Sequence, residues 1–323
     1  MTKVFLNGLG RIGRTTLRAW ALGAAPDLQI VGLNDIAAPD LIAHLIEFDS
    51  VFGPFPGTVK LDGANLRIND HVIPIHTTSD LSTLDLVGVD IVAECTGKAN
   101  VHDVAERGLR AGAGRVLISG PSGAADVTVV LGANDADLQD QPIVSNASCT
   151  TNALAPLVRV LNDHWGLKTG WMTTIHCYTG SQPTIDAPRG DMMRSRAAAL
   201  SMVPTTTSAM KLLDHVLPDI AGRIEGAAVR VPVASVSAVD LTVTLDADVT
   251  MDDVRDVLVQ QTPIIGTTTK PLVSTDLRAR PESLIIALPE CRITQGGLLR
   301  IFGWYDNEWG FAHRMLEMAQ RMG

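Results

Sequence analysis

Val4-Phe5-Leu6-Asn7-Gly8-Leu9-Gly10-Arg11-Ile12-Gly13 is the stretch whose reading decides the fold. Val4 to Asn7 is a short apolar strand. Arg14 to Leu22 then carries helical spacing through Leu17, Trp20 and Ala21 and stops at Gly23. A strand, the pattern G-x-G-x-x-G and a helix, in that order, form the context of a dinucleotide-binding turn. Gly8 permits the tight turn, Gly10 lets the backbone approach a pyrophosphate, and Gly13 allows the helix to pack closely. The pyrophosphate would sit on the amides that open the helix.

A second strand, Leu28 to Leu33, ends in Asn34-Asp35, which places Asp35 22 residues after Gly13. That is close to the spacing of roughly 20 for a carboxylate that holds the adenosine ribose hydroxyls. A carboxylate there repels a 2′-phosphate, so the expected cofactor is NAD rather than NADP. Val89 to Glu94 is a further strand closing at Cys95-Thr96-Gly97, Val101 to Ala111 reads as one helix, and Arg115 to Ser119 is another strand. Strands alternating with helices describe a doubly wound parallel sheet, with Thr96, Gly97 and Ser119 at the strand ends where a dinucleotide lies. Phe48 to His76 is rich in turn residues and short strand-like runs and receives no finer assignment. Cys95 reads as a bystander near the cofactor.

The second focus is Ser145-Asn146-Ala147-Ser148-Cys149-Thr150-Thr151-Asn152. Pro142-Ile143-Val144 feeds it as a strand, and Ala153 to Leu161 leaves it as a helix. A cysteine at such a turn faces unpaired N–H groups and the positive end of the helix dipole, both of which favour the thiolate. Ser148, Thr150 and Thr151 add hydroxyls able to hold an anion or a carbonyl, which favours a nucleophile over a small core-filling residue.

Past Cys149 the pattern changes. Trp171 to Tyr178 is a β-type run containing His176 near its end, where a side chain can enter a cleft and serve a thiolate as ion-pair partner and general base. Thr179 to Arg196 is long and irregular, a length usually functional or interfacial. Val229 to Pro232 and Val239 to Leu245 alternate as half-buried strands, and Thr250 is a plausible N-cap for a helix from Met251 to Gln260. A last strand, Leu298 to Trp304, leads through Tyr305-Asp306-Asn307 into a C-terminal helix from about Glu308 to Met322. The second half therefore reads as a mixed or antiparallel sheet with covering helices.

The bulk numbers agree. A chain of 323 residues exceeds one ordinary core and predicts two domains. With 46% hydrophobic and 19% charged residues it is globular, and a net charge of −9 argues against a nucleic-acid binder. Any anionic substrate must be met by local arginines and backbone amides. Cys95, Cys149, Cys177 and Cys291 are far apart and form no CxxC pair, which suggests neither a zinc site nor a disulfide framework. No signal peptide or membrane span is apparent, so the expectation is a cytoplasmic protein.

At this point the residues resemble the phosphorylating glyceraldehyde-3-phosphate dehydrogenase family. Asn7 to Arg14, Ser145 to Asn152, Met172 to His176, Pro204 to Thr207, Val229 to Pro232 and Trp304 to Gly310 match its motifs in order and spacing, over nearly the whole chain. The resemblance implies a Rossmann-type NAD-binding domain over residues 1–148, an α+β catalytic domain over 149–306, and a helix over 307–323 packed back on the first domain. It implies that D-glyceraldehyde 3-phosphate is oxidised and phosphorylated to 1,3-bisphosphoglycerate, Cys149 carrying a thiohemiacetal and then a thioester, His176 acting as base, without a metal.

By the same resemblance, Ser148, Thr150, Thr179, Arg194, Thr207, Ser208 and Arg230 bind the substrate phosphate and the attacking inorganic phosphate. Arg11, Ile12, Asp35, Ser79, Thr96, Ser119 and Asn307 stand with the three glycines and Gly97 as cofactor contacts, Asn307 holding the carboxamide. A homotetramer is implied, without nucleic-acid or membrane partners. The departures are Gly180-Ser181 for a usual Asn-Asp, Ser208 for Gly and Ser79 for Arg. Gln182-Pro183, Ile185 to Ala187, Cys95 and Trp309 to Ala312 resemble the sister erythrose-4-phosphate dehydrogenases, the competing reading. Semialdehyde dehydrogenases usually carry Gly where Ser148 stands, and a catalytically silent binding homologue would not need Cys149 and His176.

Overall fold

A computed structural model describes residues 1–323 and divides them into two compact units. Unit 1 comprises Met1–Val129, Asn134–Ser148 and Phe311–Gly323; unit 2 comprises Val130–Ala133 and Cys149–Gly310.

Unit 1 holds nine strands: β1 (Thr2–Asn7), β2 (Leu28–Asn34), β3 (Val59–Asp62), β4 (Asn65–Ile68), β5 (His71–His76), β6 (Ile91–Glu94), β7 (Arg115–Ile118), β8 (Val127–Thr128) and β9 (Ile143–Ser145). They form one sheet in the order β3-β4-β5-β2-β1-β6-β7-β9-β8. From β5 to β8 every pairing is parallel; only β3-β4 and β4-β5 are antiparallel. The chain runs outward from β1 through β2, then returns to lay β6 on the other side of β1. That reversal opens a crevice at the C-terminal ends of β1 and β6. The expected doubly wound sheet is present.

Val4, Phe5 and Leu6 of β1 are buried, as are Leu17, Ala19 and Trp20 of α1 (Arg11–Ala21), so the apolar face of the helix covers the central strand. The indole N–H of Trp20 donates to Leu28 O at 3.0 Å, satisfying its one polar atom. α2 (Pro39–Glu47) follows β2 and opens on proline at its first position, where no N–H is needed. The segment read as one helix over 101–111 is two short ones, α3 (His102–Ala105) and α4 (Arg107–Arg110). Neither has a side-chain cap, and Gly108 is pressed against Val92 and Val116, where a Cβ would lie 3.0 Å from each side chain. The run lacks the local support that keeps a helix continuous.

Unit 2 begins with α5 (Cys149–Trp165) and holds β10 (Leu167–Cys177), β11 (Val203–Thr205), β12 (Ile224–Val231), β13 (Ser237–Leu245), β14 (Ile265–Thr268), β15 (Leu284–Ala287), β16 (Arg292–Ile293) and β17 (Leu299–Tyr305). The main order is β11-β12-β10-β13-β17-β15-β14, with β16 beside β17. Two pairs are parallel (β10-β12, β14-β15) and the rest antiparallel, giving the mixed sheet expected. Its helices are α5, α6 (Ala209–Val216) and α7 (Met251–Leu258), with α8 (Trp309–Met322) closing the chain. Thr250 caps α7 as expected, its hydroxyl accepting from Asp253 N–H while Asp253 reaches back to Thr250 N–H. No helix is long and apolar enough to cross a membrane.

Candidate active site

Two close approaches and one open face in unit 1 show why the glycines stand where they do. Gly8 has φ +91°, and a Cβ on it would lie 2.7 Å from Thr96 N, so β1 and β6 meet at a distance only glycine allows. A Cβ on Gly13 would lie 2.0 Å from Gly8 O, which is how closely α1 sits on the turn. A Cβ on Gly10 would meet nothing within 4 Å, so its exposed face is open to a ligand.

The crevice is lined by Asn7, Gly8, Gly10, Asp35, Ser79 and Thr96, joined by Thr78, Lys98 and Arg107, which the sequence reading did not select. Asp35 is fixed at its mouth: Oδ2 accepts from Leu9 N–H at 2.6 Å and Oδ1 from Ala37 N–H at 2.9 Å. Beneath lies a buried polar floor, in which Asn7 donates to Glu94, Asn34 donates to Asn7 Oδ1 at 2.7 Å, and Glu94 Oε1 accepts from Thr96 N–H at 2.8 Å. Glycines that a Cβ would block, an open face above Gly10 and a fixed carboxylate fit an adenine dinucleotide.

Of the other expected cofactor contacts, Arg11 spends its guanidinium on Asp49, whose carboxyl its charge and the Phe52 and Val51 amides hold low against burial. Gly97 follows Thr96 with φ 72°, and Ser119 bonds to Cys95, a thiol that burial pushes up to about 12. Burial of this kind disfavours a reactive thiolate at Cys95.

Cys149 is presented by a strained turn. Ala147 has φ 54°, in the left-handed region, and its N–H donates to Ser145 Oγ, which donates to Gly120 O. Cys149 is the first residue of α5 and half-buried, and its Sγ lies 3.7 Å from His176 Nε2. His176 is the penultimate residue of β10 and is aligned with Arg230 on the parallel strand β12, so those side chains share a face.

Burial works against one expectation. Burial is the largest influence on Cys149 and pushes its thiol up. Arg230, the Thr150 side chain and the amides of Thr150 and Cys149 pull it down, but do not win. The helix terminus acts in the expected sense, yet withdrawing sulfur from water outweighs it. His176 is also held neutral, pushed down to about 4 by burial and then by Arg230, against the hydrogen bond to Cys177 O. At 3.7 Å from Sγ, His176 Nε2 is the group placed to receive the thiol proton.

His176 Nδ1 lies 2.7 Å from Cys177 O and 2.8 Å from Arg230 Nη1. A guanidinium only donates and a carbonyl only accepts, so the two contacts call for opposite tautomers. With Nδ1–H on Cys177 O, the Nε2 lone pair faces sulfur. Arg230 Nη1 then keeps its own bond to Cys177 O at 3.1 Å.

Asn307 is oriented by two devices. The preceding Asp306 accepts from Glu308 and Trp309 N–H through Oδ1 and from Ala279 N–H through Oδ2, fixing the turn. Cys177, pushed up to about 12 by burial, stays a thiol, and its S–H donates to Asn307 Oδ1 at 3.0 Å. The amide NH2 of Asn307 is thereby left to donate elsewhere.

The remaining expected anion contacts form separate groups. Arg194 reaches Thr205 Oγ1 at 2.6 Å and Thr206 O at 3.0 Å, which brings it beside Thr207. Thr207 Oγ1 accepts from Ala209 N–H at 3.1 Å, and Ser208 stands at the N-cap of α6 without capping it through its side chain. Thr179 and Ser181 hydroxyls are 2.9 Å apart, and Ser148 immediately precedes the nucleophile, half-buried. Tyr305 and Thr174, bonded to each other and through Tyr305 to Thr150, escaped the sequence reading. The available signal was Tyr305 at a strand end, the argument that selected His176.

Residues 2–102 match the family described as glyceraldehyde 3-phosphate dehydrogenase, NAD binding domain, and residues 148–307 match glyceraldehyde 3-phosphate dehydrogenase, C-terminal domain. The chain is 44% identical over 331 residues to the glyceraldehyde-3-phosphate dehydrogenase of Xanthobacter flavus, spanning 99% of this chain and 98% of the relative. It is 44% identical to that of Pseudomonas aeruginosa over 324 residues, 98% of this chain and 97% of the relative. For glyceraldehyde-3-phosphate dehydrogenase 1 of Bacillus subtilis the identity is 40% over 326 residues, with 98% and 97% covered.

Proposed function

The chain belongs to the glyceraldehyde-3-phosphate dehydrogenase family, and from that premise we propose that it converts D-glyceraldehyde 3-phosphate and inorganic phosphate to 1,3-bisphosphoglycerate through a thioester on Cys149. The observation that carries the reading is Cys149 Sγ at the start of α5, 3.7 Å from His176 Nε2. NAD, when bound, supplies the hydride acceptor.

Cys149 attacks the aldehyde carbon, forming the C–S bond, as its proton passes to His176 Nε2. The first-turn amide of Cys149 holds the developing oxyanion. His176 Nε2 returns that proton to the oxyanion, giving the thiohemiacetal hydroxyl, and takes it back as the carbon's hydride would pass to bound NAD, leaving a thioester. A phosphate oxygen then attacks the acyl carbon, the C–S bond breaks, and the Cys149 thiolate leaves. A thioester transfers to phosphate more readily than an oxygen ester, which is the reason for sulfur here. Arg194 and Arg230, with the hydroxyls of Ser148, Thr150, Thr179, Thr207 and Ser208, supply the local anion recognition that a chain of net charge −9 needs.

Gly8, Gly10, Gly13, Gly97 and the first-turn amides of Arg11 and Ile12 form the proposed pyrophosphate cradle. Asp35 takes the ribose hydroxyls, Ser79, Thr96 and Ser119 flank them, and Asn307 holds the carboxamide. The fixed Asp35 carboxylate supports NAD over NADP. Self-association as a homotetramer is supported by apolar side chains exposed in the segment after Thr179, Ile185, Met192, Leu200 and Met202 among them. Four free cysteines suit a reducing compartment, the cytoplasm.

The test is a panel crossing D-glyceraldehyde 3-phosphate and erythrose 4-phosphate with NAD and NADP. The expected result is the highest kcat/KM with glyceraldehyde 3-phosphate and NAD. Equal or better turnover of erythrose 4-phosphate would transfer the assignment to the sister activity.

A further inference from the structure

The crevice at the C-terminal ends of β1 and β6 extends beyond the glycines and Asp35. A dinucleotide laid with its pyrophosphate on Gly10 and its ribose on Asp35 has that further end left for its adenine. Thr78, Ser79, Leu81, Val104 and Arg107 line it. Leu81 and Val104 are apolar and pack in one core cluster, Leu81 only 2% exposed. Thr78 is fixed to the end of β2 by a reciprocal pair, its N–H donating to Asn34 Oδ1 at 2.9 Å and its carbonyl accepting from Asn34 Nδ2 at 3.0 Å. Arg107 reaches the same segment from the start of α4.

The Arg107 guanidinium is held by its edges. Nη1 donates to Ser79 O at 3.1 Å, Nη2 donates to Asp103 Oδ2 at 3.1 Å, and Nε lies 3.5 Å from Asp80 Oδ1. Its N–H groups lie in the plane of the guanidinium, so a group anchored through them still offers a ligand its flat face. Charge points the same way. Asp80, Asp103 and Glu106 set three carboxylates against Arg107 and Arg110. That cluster has no spare positive charge for a phosphate, whereas an arginine face packs on an aromatic ring with its edges already paired.

We propose that Arg107 is an adenine-binding residue, its guanidinium face covering the base beside the apolar surface of Leu81 and Val104. Ser79 contributes its carbonyl, which anchors the guanidinium at the crevice. The role rests on the reading of this crevice as the NAD site.

The test is calorimetric binding of NAD and of ADP-ribose to the full-length enzyme, without aldehyde, at low and at high salt. Exposed ion pairs contribute little to stability, so replacing Arg107 should leave the fold intact. Arg107→Lys keeps the charge and a donor for Ser79 O or Asp103 but loses the flat face, and Arg107→Gln loses the charge as well. Both variants should bind both ligands roughly two- to fivefold more weakly, the strength of a partly exposed cation–π contact, and equally at both salts. Wild-type affinity in Arg107→Lys makes the residue a tether and overturns the proposal. So does a loss confined to NAD, or one that grows as salt is lowered, the mark of a phosphate contact. If neither variant folds, a crystal structure of the wild-type NAD complex decides: a guanidinium over the adenine face within about 6 Å of the ring centroid supports the proposal, and one farther away or edge-on overturns it. A wild-type enzyme that binds neither ligand sinks the reading of the crevice together with Arg107. Unmoved affinity in an Arg107→Lys enzyme that still oxidises glyceraldehyde 3-phosphate sinks Arg107 alone.

Discussion

Half-buried Cys149 and buried His176 each resist ionisation, yet they are placed to exchange a proton. Replacing His176 by Asn removes the acceptor, so kcat should fall by roughly 10²–10⁴-fold, in the range general-base catalysis contributes. Alkylation of Cys149 at neutral pH should slow with it; an unchanged alkylation rate would mean that the thiolate does not depend on His176. Stability carries a second signature, readable on a Cys149→Ser background where the thiol is gone. The unfolded imidazole binds its proton near 6.5 and the folded one only near 4. Between those values the unfolded chain holds more protons, so stability is full above pH 6.5 and is lost as pH falls toward 4, by up to about 3 kcal/mol. Urea midpoints at fixed protein concentration should show that slope, and His176→Asn on the same background should flatten it. The sequence could name Cys149 because a strand-to-helix turn is a local pattern. It could not show that burial would oppose the helix dipole, since burial depends on residues far along the chain, such as Tyr305 and Arg230.

The glycine-rich turn was legible for the opposite reason: each of its glycines answers a local demand. Two variants separate those demands. In Gly13→Ala the new Cβ would sit 2.0 Å from a backbone oxygen, so α1 must shift, at a cost of about 1–3 kcal/mol. Gly10→Ala meets nothing, so folding should change by less than about 0.5 kcal/mol. The methyl would still stand where a pyrophosphate approaches, and NAD affinity should fall at least about tenfold, or about 1.4 kcal/mol. Thermal melts and NAD titrations on both variants check the contrast; a Gly10→Ala protein that binds NAD normally would move the cradle elsewhere. Sequence patterning served less well where strands carry little pattern. β12 begins Ile224-Glu225-Gly226-Ala227-Ala228, small residues chosen by close pairing: a Cβ on Gly226 would lie 2.4 Å from Met172 O. β15 is a short apolar run buried throughout, without the alternation that marks a strand.

For the whole molecule, length and the change of pattern near Cys149 were enough to anticipate two units of different architecture. How Phe311–Gly323 joins unit 1 depends on distant contacts, among them Arg115 donating to Met322 O at 2.9 Å. Exposed Met192 and Leu200 belong to the same scale, since the proposed self-association would cover them. Native mass spectrometry should find a tetramer at micromolar concentration, and a monomer would contradict that assembly. The most direct test of the central claim, a thioester on Cys149 that phosphate resolves, is rapid mixing of enzyme, NAD and D-glyceraldehyde 3-phosphate without inorganic phosphate. The account predicts a burst of NADH stoichiometric with active sites, an acyl group on Cys149 in intact-protein mass spectra, and steady turnover only after phosphate is added. Steady turnover at the same rate without phosphate, or a burst that survives in Cys149→Ser, would contradict it.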